Sequence, residues 1–506
     1  MAHEGGKTWL FFAAAAVVPV AVLWLYQPVL HFQLMGDDYQ WVQHAHRAAH
    51  RPILLFTDLD TFYRPANTWT LVLDRWLWGQ WPSGFHLTNL LWQALAAVLL
   101  IFLARRLGLP SLAAAILGLI WATAPFTLEP ATSVAIRFEN LLFCGWLGLL
   151  LLWPQKLQAW SWYRRVGVAL ATLWCLAAKE TWVITPALVA SWLWAKERTP
   201  RIWKRVIPFA VLAGLYFVAY FFAFPGDKGY FRWEASVLAK IPQQLAAFFY
   251  LEPVVPAGFS FRITGAVALA ITLFFATYAA KEKIPAGVFA LALLFFPALP
   301  TLFVPYLPTR YTSVPYAGFL LLLFSCVQHL SRRLPRFFQV GGGAVLALLG
   351  VLVLTAAWSI VRADLRDLAR VSAAHKHLLE QASKLAAELP LDRPVLLLRK
   401  ENRNPLREIA SAPQGWPKLF YVRHSDPDGL IDAPALFEWV LGREDITFTK
   451  GEDLLPRLVS QEGAVLVHHD SGFSWASFHQ PRLGEAYQRW IGGGGRARLF
   501  FAQPLP

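Results

Sequence analysis

The sequence predicts an α-helical polytopic membrane protein of about 11 transmembrane helices, followed by a small C-terminal α/β extracytoplasmic domain. Three observations predict it. The 506 residues are 56% hydrophobic and only 15% charged, more apolar surface than one soluble core buries. The apolar residues come in runs of about 17 to 25, long enough as helices to cross a hydrocarbon layer roughly 30 Å thick. Lys and Arg gather in the connections between alternate runs, as they do in cytoplasmic loops.

The runs begin near residues 8, 86, 111, 138, 166, 182, 206, 263, 284, 312 and 339. The first, Trp9 to Leu30, exceeds the roughly 7 to 15 apolar residues of a cleaved signal peptide and leads straight into acids, so it reads as a retained span. Little more than Lys179-Glu180 parts the runs from 166 and 182, which suggests a tight helical hairpin. Arg105-Arg106, Lys156 with Arg164-Arg165, the cluster Lys196-Arg198-Arg201-Lys204-Arg205, Lys281-Lys283 and Arg332-Arg333-Arg336 fall on alternate connections. With Lys7 they put the amino terminus in the cytoplasm. The same count puts the first loop, residues 31–85, and everything after the last run outside, the periplasmic face if the membrane is a bacterial inner membrane.

The net charge of +14 and the pI near 9.8 follow largely from these clusters. Topology and contact with anionic lipids account for them, and no nucleic-acid partner is expected. Cys144, Cys175 and Cys326 all lie in apolar runs, which leaves the outer parts without a disulfide framework or a Cys zinc site. No internal repeat or low-complexity tract is visible.

Composition changes near Arg362, dividing the chain into a membrane part, residues 1–361, and a soluble α/β part, residues 362–506. Asp364-Leu365-Arg366-Asp367 opens a charged amphipathic helix-like stretch that runs to Glu388. Strand-like runs at Pro394 to Leu398, Lys418 to Val422, Ile446 to Thr449 and Ala464 to His468 alternate with a helix-like Ala433 to Leu441. Gly492 to Gly495 reads as a flexible turn. His468-His469-Asp470 has the composition of a metal cluster, although a strand ending in polar residues explains it equally well.

Chemistry is expected in the first loop. Asp37-Asp38 stands just past the first span among Phe32, Tyr39 and Trp41. Adjacent like charges and partial burial both raise a carboxyl pKa, so one acid can serve as a base while the other holds a cation or a substrate hydroxyl. Nothing in the spacing demands a metal, although two adjacent carboxylates suit an oxygen-seeking ion such as Mg²⁺ or Mn²⁺. In Tyr63-Arg64-Pro65 the arginine is set between a ring and a proline, which suits a guanidinium that holds a phosphate bidentately; a structural ion pair with Asp60 is the competing reading. Phe85-His86-Leu87-Thr88-Asn89-Leu90-Leu91 starts the second span with His86 and Asn89 at i and i+3 on one helical face, turned to the same partner, which makes them candidates for substrate binding with Tyr39 and Tyr63; a helix-entry cap and loop anchor is the competing reading.

In order and spacing, these stretches resemble the polytopic glycosyltransferases of the GT-C superfamily, which include protein O-mannosyltransferases and bacterial lipid A aminoarabinose transferases. The resemblance rests on the acid pair with Tyr39, on Tyr63-Arg64-Pro65, and on Gly84-Phe85-His86-Leu87-Thr88-Asn89-Leu90-Leu91. Two later stretches are similar as well: Leu128-Glu129-Pro130-Ala131-Thr132-Ser133-Val134-Ala135 with Arg137 and Asn140, and Ala178-Lys179-Glu180-Thr181 before Pro186. It covers residues 8–200 well and later spans only in general layout. Some relatives carry Asp-Glu where this chain has Asp37-Asp38, and the carboxy-terminal part shows no TPR-like or β-trefoil pattern.

The resemblance implies an enzyme that takes a sugar from a polyprenyl-phosphate donor and transfers it, outside the membrane and with inversion, to a hydroxyl of a glycan, lipid or protein acceptor. Either aspartate of the pair can be the base; the arrangement expected has Asp37 as base and Asp38 holding acceptor or cation. Arg64, Arg137 and Arg310 are the expected phosphate contacts. Lys179 assists them or pairs with Glu180, Glu129 lines the pocket, and Tyr311 follows Arg310 in an outer loop after Tyr306-Leu307-Pro308. The competing classes are a transporter or lipid flippase, whose ionisable groups would lie mid-span, a diphosphate-linked glycan polymerase or ligase, and a structural assembly subunit.

Overall fold

The protein is described by a computed structural model, in which the described residues are 2–56, 63–153, 161–223, 240–248, 261–299, 309–333, 336–386, 388–389, 394–399, 433–441, 446–450, 462–469, 472–476, 482–493 and 496–504. Its first half is a helical bundle. Helix α1 (Ala2–Leu25) leads through a 3-10 turn to α2 (Asp38–His50), and α3 (Pro65–Trp78) leads to the long α4 (Pro82–Arg106). Pro65 and Pro82 each stand at the first turn of their helix, where a missing N–H costs nothing. Then come α5 (Ser111–Ala122), the short α6 (Leu128–Thr132), α7 (Phe138–Leu152), α8 (Trp162–Ala178), α9 (Thr185–Glu197) and α10 (Trp203–Ala223).

Among the described residues, three helical stretches are long and apolar enough to cross a membrane: Pro82–Arg106, Pro200–Tyr220 and Arg310–Ser331. Ser111–Ala122 and Pro125–Thr132 pass that test only as a pair, bent by 60°. Ala15–Leu25, Phe138–Leu152, Gly265–Lys281 and Pro285–Phe295 are apolar but shorter. The expected count of about eleven spans is therefore met only in part. At the span expected from 111, the helix stops at Ala122 and the chain turns at Pro125, so apolar composition overstates helix length there.

The expected hairpin between the runs from 166 and 182 is not tight. Lys179 is extended, and a 3-10 turn over Glu180–Ile184 follows it. Helix α8 packs on α7, whereas α9 packs on α10 and on Pro285–Phe295. The charged link is stretched because its two side chains bind different partners, as described below.

Helix α11 (Arg336–Ala386) runs for 51 residues and passes residue 361 without a break. It leads to a five-stranded sheet of β1 (Val395–Arg399), β2 (Ile446–Lys450), β3 (Ala464–His469), β4 (Gly472–Trp475) and β5 (Arg496–Pro504), in the order β2-β5-β1-β3-β4. Only the β1 and β3 pair is parallel. In β1, Val395 and Leu397 join the main core with Leu436 and Phe437 of Ala433–Leu441, while Leu396 and Leu398 pack with Val465, Val467 and Leu483. A strand buried on both faces has to be apolar throughout, which is why this one reads as an unbroken hydrophobic run.

The elements expected at Pro394 to Leu398, Ile446 to Thr449, Ala464 to His468 and Ala433 to Leu441 are present within a residue or two. Of Gly492 to Gly495, Gly492 ends the helix Leu483–Gly492 and Gly493 caps it, while Gly494 and Gly495 lie outside the described residues. The stretch Lys418 to Val422, along with Asp60, Lys156, Tyr306 to Pro308 and Asp470, lies outside the described residues. No group of three or more metal-ligating side chains occurs among the described residues.

Candidate active site

The acid pair is set by a tight turn. Gly36 has φ of +55°, a left-handed conformation that glycine adopts without strain. It brings Met35 and Asp38 face to face: the Asp38 amide donates to the Met35 carbonyl at 3.0 Å, and the Met35 amide donates to Asp38 Oδ2 at 3.1 Å. Asp38 Oδ1 accepts from the Ser133 hydroxyl at 3.0 Å and from the Ala135 amide at 2.7 Å. The carboxylate thus ties the first loop to the segment after α6.

Asp38 is fully buried, and burial pushes its carboxyl up to about 7. The bonds from Ala135, Met35 and Ser133 oppose that rise, while the charge of Asp37 adds to it. Asp37, one residue earlier and at the helix N-cap, is only half-buried. Two adjacent acids of the same type thus stand in different environments.

The basic residues form a second arm. Arg64 donates from Nε and Nη2 to the two carboxylate oxygens of Glu180 at 3.1 and 2.7 Å, and its guanidinium lies 3.8 Å from the Phe138 ring centre. Burial disfavours the Arg64 cation, but Glu180 outweighs it and raises the pKa. Burial likewise works against the Glu180 anion, and Arg64 beside it holds that carboxyl below its usual range.

Lys179 pairs with Glu139 rather than with its neighbour Glu180, and its ammonium lies 5.4 Å from the Phe138 ring and 4.4 Å from the Tyr311 ring. Arg310 lies 5.1 Å from the same Tyr311 ring; its Nη1 and its backbone amide both donate to Glu129, each at 3.0 Å. Three cations and two rings therefore alternate, and each cation is matched by a carboxylate from another element. Cation–π contacts of this kind strengthen when water is excluded.

Arg137 is fully buried and differs from the other arginines. It pairs with Asp74 of α3, donates to Asn89 Oδ1, and donates from Nη2 to the Phe85 carbonyl at 3.0 Å. Asn89 in turn donates to the Ser133 carbonyl at 2.6 Å. His86, also buried, has Nε2 3.4 Å from the Gln33 carbonyl and its ring edge-on to Phe32. The shared face expected for His86 and Asn89 is therefore spent inside the protein. His86 meets the segment just before the acid turn, and Asn89 binds the Ser133 segment.

The structure gathers Asp37, Asp38, His86, Asn89, Glu129 and Arg137 around the acid turn and the residue 129–137 segment. Arg64, Lys179, Glu180, Arg310 and Tyr311 form the adjoining ladder. Tyr63 is half-buried beside Arg64, and Tyr39 is buried under the carboxy-terminal part. Sequence reasoning missed Asp74, Glu139, His375 and Trp439, and it singled out Ser133 only as part of a motif, without a role. Asp74 is a single acid in an amphipathic helix, and Glu139 stands two residues past Arg137 with its partner 40 positions away, so neither carries a local signal.

No protein-family model matches the chain, and no curated protein matches it. Two solved structures of ArnT from Cupriavidus metallidurans are similar over the whole length. The one bound to undecaprenyl phosphate is 15% identical, with 98% of each chain covered and a TM-score of 0.45. The one in the apo state is 14% identical, with 99% of this chain and 98% of that one covered and a TM-score of 0.46. At that identity and score the likeness is one of chain path, and the functional reading rests on the site.

Proposed function

We propose that the protein is an integral-membrane glycosyltransferase that moves a sugar from a polyprenyl-phosphate donor to an acceptor hydroxyl, with inversion, on the outer face of the membrane. The observation that carries this reading is the unequal environment of the acid pair. Asp38 directs both oxygens to Met35, Ser133 and Ala135, whereas Asp37 is half-buried at the same turn. Asp37 is then the base and Asp38 the residue that holds the turn. A divalent cation such as Mg²⁺ or Mn²⁺ shared by the pair would have to compete with the three donors on Asp38.

In the reaction, Asp37 takes the proton of the acceptor hydroxyl as its oxygen bonds to the anomeric carbon. The bond from that carbon to the phosphate oxygen breaks, and polyprenyl phosphate leaves with the electron pair. The leaving group gains charge as it departs, which favours fixed cations over a general acid. Arg310, which is partly exposed, and Arg64, buried against Glu180 and Phe138, serve as the phosphate contacts, each exchanging part of its carboxylate pairing for the donor. Arg137 and Lys179 are buried against Asp74 and Glu139 and support the walls instead.

The clustering of ionisable groups in the first loop and the interhelical segments, rather than mid-span, favours an enzyme over a transporter. Asp37→Asn tests the base. Transfer from a polyprenyl-linked sugar should fall about 10² to 10⁴-fold with the protein inserted normally. Full activity in Asp37→Asn overturns the assignment. In Arg64→Ala, donor use should weaken more than acceptor use, and an equal loss counts against a phosphate role.

A further inference from the structure

The acid turn is gripped by residues from the far end of the chain. Tyr39 follows Asp38 directly and is fully buried, yet its hydroxyl has no hydrogen-bond partner among the described residues, so ring packing holds it. His375 of α11 stacks on it, with ring centres 6.4 Å apart and planes 12° from parallel. Trp439 of the Ala433–Leu441 helix meets it edge-on at 6.2 Å.

The same indole meets Phe85 edge-on at 6.2 Å, with the Arg75 guanidinium 5.6 Å from its ring, and the Trp439 carbonyl accepts from Gln80 Nε2 at 3.1 Å. Phe85 carries the carbonyl that Arg137 binds. One indole therefore touches both the acid turn and the arginine wall. Beside it, the Gln33 amide donates to the Ser372 hydroxyl at 2.7 Å, a second tie from α11 to the same loop.

We propose that Trp439 and His375 are positioning residues for Asp37: through Tyr39 they set where the acid turn stands relative to the donor. This rests on the glycosyl-transfer reading above. The carboxy-terminal part is then one wall of the reaction site. The effect of the two residues passes through Tyr39 and Phe85. A displacement of about 1 Å at a reacting group can cost about 10²-fold in rate, which sets the scale expected.

The test uses full-length protein in liposomes with a polyprenyl-phosphate sugar as donor. Trp439→Ala and His375→Ala should lower kcat about 10 to 10²-fold while the donor KM changes by less than about 3-fold, and Trp439→Phe and His375→Phe should recover most of the rate. Hydrogen exchange of the amides at residues 37–41 provides a readout that does not depend on the reaction. It should quicken in the alanine variants and return to the wild-type rate in the phenylalanine variants. Wild-type kcat per folded protein in both alanine variants, or exchange unchanged in both, overturns the inference. A wild-type protein that fails to use the donor, with exchange still responding, overturns the glycosyl-transfer reading and leaves the packing role standing.

Discussion

The two ends of the helical bundle are both rich in charge, and they use it differently. Where the first loop lies, Arg64, Arg137, Lys179 and Arg310 pair with Glu180, Asp74, Glu139 and Glu129, joining elements far apart in sequence with little or no exposure. At the opposite end, Arg205 pairs with Glu197 eight residues away, and the well-exposed Arg333 pairs with Glu282. Buried pairs hold geometry because leaving either partner alone in a dry site is costly, whereas exposed pairs are screened and worth little. The first end is knit together by buried pairs between distant elements, and the second carries more exposed ones.

Arg137→Ala should have the largest effect at the first end. It strands Asp74 in the interior, and the expected loss is about 3–5 kcal/mol of stability, read as a lowered Tm in detergent. A Tm near wild type would show that the Asp74 pair does not organise this end. A smaller loss follows Arg64→Lys. An ammonium keeps the charge but gives up the paired bonds to Glu180 and the flat contact with Phe138, so stability should fall by about 1–2 kcal/mol while the residue stays cationic.

The pH dependence sharpens the contrast further. Burial raises the folded-state pKa of Asp38 to about 7, against about 4 for an unfolded aspartate. Its contribution to stability is therefore full below about pH 4 and is lost as pH rises through 7. Stability followed from pH 4 to 8 should carry this falling component, and Asp38→Asn should remove it. A slope unchanged by the substitution counts against a buried, titrating Asp38. At the other end, Arg333→Ala should leave Tm and transfer activity where they are, and a clear loss of either would erase the distinction between the two ends.

Much of this arrangement was legible locally. The Gly36-Asp37-Asp38 turn, Tyr63-Arg64-Pro65 and the stretch from Leu128 to Asn140 stood out because short-range chemistry makes them unusual. Pairings were not legible, because partners 116 and 181 positions apart leave no trace in a single sequence. Lys179-Glu180 illustrates this. Adjacent opposite charges invite each other, but the extended backbone at Lys179 sends the two side chains to Glu139 and Glu180's guanidinium partner, Arg64. Helix length was also overstated in the run from 111, where the chain turns at Pro125.

By itself, the sequence determined the class of molecule and the position of its most unusual short motifs. Apolar run length, cation placement and the acid turn are properties of contiguous residues, and contiguous residues suffice to specify them. Only the tertiary structure decided which aspartate is buried, which arginines are locked into walls, and that Tyr39 is held by His375 and Trp439. Those outcomes depend on what packs against a side chain. In a bundle crossed by a 51-residue helix, that neighbour comes from hundreds of residues away.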